Sequence, residues 1–148
     1  QWAQPALGGS WAEPDNWSGG PVPDGAGAMV SFVRPETAGT SSLTITLDGL
    51  RVLGTLNLDS IGPYAVVPAA PGARLSFDVD AGVAAINVIR GGHTLAVPLE
   101  LQCPTGMNVA ASGTLTSSAP LTAGASDVCL TVNGDGVMRL SGSVDLPG

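Results

Sequence analysis

Lysine is absent from this chain of 148 residues, and its five cations are all arginine against twelve acidic residues and one histidine. Nucleic-acid binding needs clustered cations to neutralise phosphates, so a net charge of −7 excludes it as the expected role. The same charge disfavours docking on an anionic membrane surface. Charged residues are only 11% of the chain, well below the roughly 25% usual for soluble domains. Aromatics are 4%, and no apolar stretch approaches the roughly 20 residues of a membrane span. A single histidine, His93, excludes any multi-histidine metal site. Amphipathic helical runs are also missing, and almost no helix is expected.

Small residues and turn formers are abundant instead. The 21 glycines, 12 prolines and 44% apolar content fit an ordered fold of short strands and many turns. The length suits one domain with a real core. The chain opens on Gln1 without a signal peptide, as a processed, mature product would.

Residues 1–27 stand apart. They carry all three tryptophans, Trp2, Trp11 and Trp17, together with Pro5, Pro14, Pro21 and Pro23. Proline donates no backbone hydrogen bond, so this is no central strand. The indoles suit a cap over the open end of a core, in preference to a stacking platform for sugar rings. The Asn16-Trp17-Ser18 acceptor triplet is read as structural.

From residue 28 to 148 the chain reads as a ladder of period-two runs. Leu43, Ile45 and Leu47 share one face of LTITL, and Leu75, Phe77 and Val79 one face of RLSFDVD. The longest such stretch is INVIRGGHTLAVPLEL, residues 86–101, where Gly91-Gly92 breaks two alternating runs. Turn signals recur every ten residues or so, which marks an all-β fold. Two architectures compete. A single parallel β-solenoid, β-helix-like, would stack about five coils of roughly 20 to 25 residues beneath the tryptophan cap. A β-sandwich would use hairpins, with Asn133-Gly134 as one of the turns. Small residues and glycine-ended apolar triplets favour the solenoid.

Three motifs resemble a known family. WAEPDNWSGGPVP (residues 11–23) is similar to the opening of secreted bacterial proteins with autotransporter-associated β-strand repeats. INVIRGGHTLAVPLEL resembles their I-x-V-x-x-G-x-H-x-I-x-x-P-L-x-L segment, and LTVNGDGVMRLSG (residues 130–142) their glycine-rich repeat. The matches keep the family's order across nearly the whole chain. The resemblance implies a β-solenoid, secreted or at the cell surface, structural or adhesive rather than catalytic. The repeat appears once in clear form, and no outer-membrane barrel segment is present, so a self-contained exported subunit is the better fit.

No catalytic constellation, metal site or cofactor is predicted. His93 reads as a hydrogen-bonded corner residue, since no serine–carboxylate arrangement surrounds it. Asp78 and Asp80, two apart, would share the outer face of one strand. Paired carboxylates for hydrolysis or calcium ligation are weighed there against a solvated face, and the solvated face is preferred. Asp135, in NGDG, is read as a turn rather than a lone calcium-binding copy. Cys103 and Cys129 are expected to form a structural disulfide, consistent with an oxidising compartment. It would close a loop of about 25 residues and contribute roughly 3 kcal/mol.

The expected function is a structural, non-enzymatic protein, extracellular or on the cell surface, that self-assembles into a filament, sheath or matrix. Trp2, Trp11 and Trp17 would cap one end. Val144 and Leu146, in a last strand followed only by Pro147-Gly148, would form an interface at the other. The expected partner is a second copy, without nucleic acid or membrane insertion. The alternative is an adhesive or carbohydrate-binding module whose partner is a surface glycan.

Overall fold

The computed structural model describes residues 1–4 and 6–147. Pro5 and Gly148, expected in the cap and at the chain's end, lie outside these. The described chain is a three-sided succession of short strands wound into five stacked coils, so the solenoid is the architecture adopted. The first coil holds β2 (Met29–Val33), β3 (Leu43–Leu47) and β4 (Leu50–Leu53), after a short β1 (Gly9–Ser10). The second holds β5 (Thr55–Asp59), β6 (Tyr64–Pro68) and β7 (Arg74–Phe77). The third holds β8 (Ala84–Leu95), which serves two faces, and β9 (Leu99–Leu101). The fourth holds β10 (Thr105–Val109), β11 (Gly113–Ser117) and β12 (Leu121–Ala123). The fifth holds β13 (Leu130–Asn133), β14 (Val137–Leu140) and β15 (Val144–Asp145).

Every pairing between described strands is parallel. The first face runs β2, β5, β8, β10, β13. The second runs β1, β3, β6, β8, β11, β14. The third runs β4, β7, β9, β12, β15. Hairpins need antiparallel neighbours, and Asn133-Gly134 makes none: it turns the corner from β13 on the first face to β14 on the second. Gly134 takes a φ of 102° there, and a side chain would strike the Val109 carbonyl below it. The sandwich alternative is thereby excluded.

The Gly91-Gly92 break is a corner of the same kind inside one continuous strand. Gly91 has a φ of 80°, and a Cβ on it would collide with the Ser60 carbonyl oxygen. The coil therefore bends from the first face to the second without leaving the ladder.

Alternation places one apolar column after another inside. On the first face Val30, Leu56, Ile86 and Met107 stack in register, all fully buried. On the second Ile45, Val66, Leu95 and Ser117 do so, and on the third Leu75, Leu99 and Leu121. Small residues at the corners let successive coils approach at strand spacing, about 4.8 Å. No described helix is long and apolar enough to cross a membrane.

Candidate functional site

The two ends of the solenoid differ, and the difference begins with which backbone groups are already taken. At the amino-terminal end all three faces are covered. Trp2 N–H donates to the Ser31 carbonyl (2.9 Å) on the first face. On the second, β1 pairs with β3, and Trp11 N–H follows with a 2.9 Å bond to Thr46. On the third, Gly25 N–H reaches the Val52 carbonyl (2.9 Å), and Val52 N–H reaches the Asp24 carboxylate (2.8 Å). The three indoles close the core behind these bonds. Trp2 meets Trp17 edge-on with ring centroids 5.1 Å apart, and Trp11 lies 4.9 Å from Trp17. All three contact Phe32, and their N–H groups are bonded to backbone carbonyls. The tryptophans are buried, so they form the cap and offer no platform to a sugar. Asn16 also works locally, donating to the Ser10 carbonyl at 2.9 Å.

The fifth coil is bare. Among the described residues, the inward column of each face ends there on a side chain with nothing above it. Val132 follows Met107 and is 51% exposed; Leu140 follows Ser117 and is 38% exposed; Val144 follows Leu121 and is 49% exposed. Their counterparts one coil earlier are at most 1% exposed. Leu146 is half-buried against the core. Among the described residues, β13, β14 and β15 have no strand on their outer edges.

The cysteines are free thiols, which corrects the expected Cys103–Cys129 bridge. The reason is parity of register. Thr105 pairs with Leu130, so Cys103 falls level with Val128 and Cys129 with Pro104. Cys103 shares the inward parity, packs on the core and points its thiol toward the Phe77 carbonyl (3.7 Å) in a preceding coil. Cys129 has the opposite parity and is exposed.

Asp78 and Asp80 also depart from expectation. Strand β7 stops at Phe77, and both carboxylates lie in the corner that follows rather than on one strand face. Asp135 sits exposed in its corner. Among the described residues no group of three or more metal-type ligands gathers. His93 is 1% exposed and stacks on Tyr64 with centroids 6.0 Å apart. Its Nδ1 accepts from Tyr64 N–H (3.1 Å), so Nε2 carries the proton and donates to the Arg90 carbonyl (2.9 Å). Burial holds its pKa below the usual imidazole value, against opposing effects of the Arg90 hydrogen bond and the Asp59 charge. Both ring nitrogens are engaged within the core, leaving neither to act as a base.

One feature was not anticipated. Asn57, Asn87, Asn108 and Asn133 occupy the same outward position of the first face in four successive coils, following Ser31 in the first. Each donates one N–H to the residue before it, at 3.2 Å to Ser31 Oγ and then 2.8, 2.8 and 3.1 Å to successive Oδ1 atoms. The signal lies in the sequence as LNL, INV, MNV and VNG, one asparagine at the centre of each run. Beside the column runs a groove of about 470 Å³, walled by Ile89 and Ala110.

No family model, characterised protein or solved structure matches the chain.

Proposed function

We propose that this chain is a structural, non-enzymatic protein of the cell exterior that assembles with further copies of itself through its fifth coil. One observation carries the reading: Val132, Leu140 and Val144 face inward on three different faces and yet stand 51%, 38% and 49% exposed. Covering each half-exposed side chain returns about 1 kcal/mol, roughly half the value of full burial. The bare edges of β13, β14 and β15 add main-chain hydrogen bonds to any β-structured partner. Seating this coil on the capped end of the next copy, where Leu7 and Met29 are 62% and 64% exposed, is a heterologous contact. Such a contact propagates into a filament, sheath or matrix. Two fifth coils meeting face to face would instead close at a dimer. The engagement of His93 inside the core supports a non-enzymatic role. The motif resemblance to secreted bacterial repeat proteins supports the exterior location.

Light scattering and negative-stain microscopy at rising protein concentration test this. The parent chain should form regular assemblies, and a Val132→Lys/Val144→Lys variant should remain monomeric. A parent that is monomeric throughout, or a variant that assembles equally well, overturns the proposal.

A further inference from the structure

The asparagine column is only half used by its own hydrogen bonds. A carboxamide has two N–H donors and an oxygen with two lone pairs. Within the column, Asn57, Asn87 and Asn108 each spend one donor on the coil before and one lone pair on the coil after. Among the described residues nothing else takes the remainder. Each of these coils therefore presents one free donor and one free acceptor from a single side chain. Asn133 presents a free donor and both lone pairs. The groove beside the column has an aliphatic wall: Ile89 is 49% exposed and Ala110 is open to solvent. No lining residue of the groove is charged.

We propose that this groove binds a neutral, linear polysaccharide laid along the solenoid axis, one sugar ring to a coil. A hydroxyl group is both donor and acceptor, and so matches what each asparagine has left. The coils repeat at strand spacing, 4.7 to 4.9 Å, so the fit asks each ring of the sugar chain to advance by roughly that length. In a two-fold β-1,4 chain alternate rings then turn opposite edges to the column, and each edge carries a hydroxyl. From Asn57 to Asn133 the column covers about 14 Å, three such steps. The aliphatic wall suits the C–H face of a ring. An extended peptide repeats its same-side groups every 6.6 Å or so and falls out of step after one coil. A polyuronate would bring a carboxylate to each ring, and the groove holds no cation to receive it. The site lies on a face of the solenoid and reaches the fifth coil only at Asn133 and Gly134, so binding at Asn57, Asn87 and Asn108 does not require the copies to join.

The test is a titration of the isotope-labelled Val132→Lys/Val144→Lys variant, which keeps all four asparagines and stays monomeric, with cello-, xylo- and manno-oligosaccharides of two to six rings and with hexagalacturonate as the charged control. The side-chain amide signals of Asn87 and Asn108 should move with at least one neutral series. Affinity should rise up to four rings and then level. Ala110→Glu, an exposed substitution that leaves the column intact, should weaken binding roughly tenfold, as should Asn87→Leu/Asn108→Leu. The proposal is overturned if no neutral oligosaccharide binds at millimolar concentration, if the shifts fall outside the groove, if hexagalacturonate binds better, or if Ala110→Glu binds as well as the parent.

Discussion

His93 is held neutral by what surrounds it, and that decides how acid acts on the fold. Its folded pKa is depressed by burial, so above the unfolded value, about 6.5, both states are neutral and its contribution to stability is complete. As pH falls below that value the unfolded chain takes up a proton that the folded chain refuses, and stability drops until the folded pKa is reached. Urea midpoints should therefore fall from pH 7.5 to pH 5.5. Because no other histidine exists, a His93→Gln variant should show a flatter profile in that window, from a lower starting point. The thiols give a second check. Cys129 should react rapidly with an aromatic disulfide reagent and Cys103 slowly, and Cys129→Ser should abolish the fast phase. The histidine was legible in the sequence as a hydrogen-bonded corner. The cysteine pair was not, because even spacing says nothing of parity: one step of register sends Cys103 inward and Cys129 outward. The asparagines were legible as letters but not as a column. Their spacing varies from coil to coil with the length of the corners, so only the strand register brings them into line.

At the scale of elements, the cap and the corners hold the coils in place. Trp11 is fully buried against Trp17 and Phe32, and Trp11→Ala should cost about 3 to 5 kcal/mol. Chemical denaturation would measure this, with the loss spread over the first coil rather than confined to residues 1–27. Gly91→Ala tests the bend within β8. It combines an unfavourable φ with a collision against the Ser60 carbonyl, so a loss of about 2 kcal/mol or more is expected. The loop after β2 is fastened differently. Arg34, 2% exposed, donates to the Ala38 and Ser41 carbonyls at 2.6 Å and, among the described residues, pairs with no carboxylate. In the sequence Arg34 is simply one of five arginines. Backbone carbonyls, which no composition reveals, are its partners. The strands themselves were read from period-two alternation, but whether a neighbour lies parallel or antiparallel is set by the corners. Glycine pairs that look like hairpin turns serve here as bends between faces.

Taken whole, the described residues form a stack in which the strands of each coil pair only with those of its neighbours, the Arg90–Glu36 ion pair alone reaching from the third coil to the first, with one closed end and one bare end. In such a stack stability is a sum of coil and interface terms, so opening begins where a coil has a single neighbour. Amide exchange should be fastest in β13, β14 and β15 and slowest in β5 and β8, and rising concentration should protect the fifth coil selectively. Uniform exchange would contradict this ordering. In the sequence, Val144 and Leu146 read as an interface; Val132 and Leu140 join that end only once they are seen to sit on inward columns. The asparagine column adds a property of a different kind. Every donated N–H in it points toward the cap and every accepting oxygen toward the fifth coil. Strand dipoles largely cancel within a sheet, but these four amide dipoles add. The solenoid is thus polarised along its length, with its negative pole at Asn133, and it tells an approaching donor which way is up before any side chain touches.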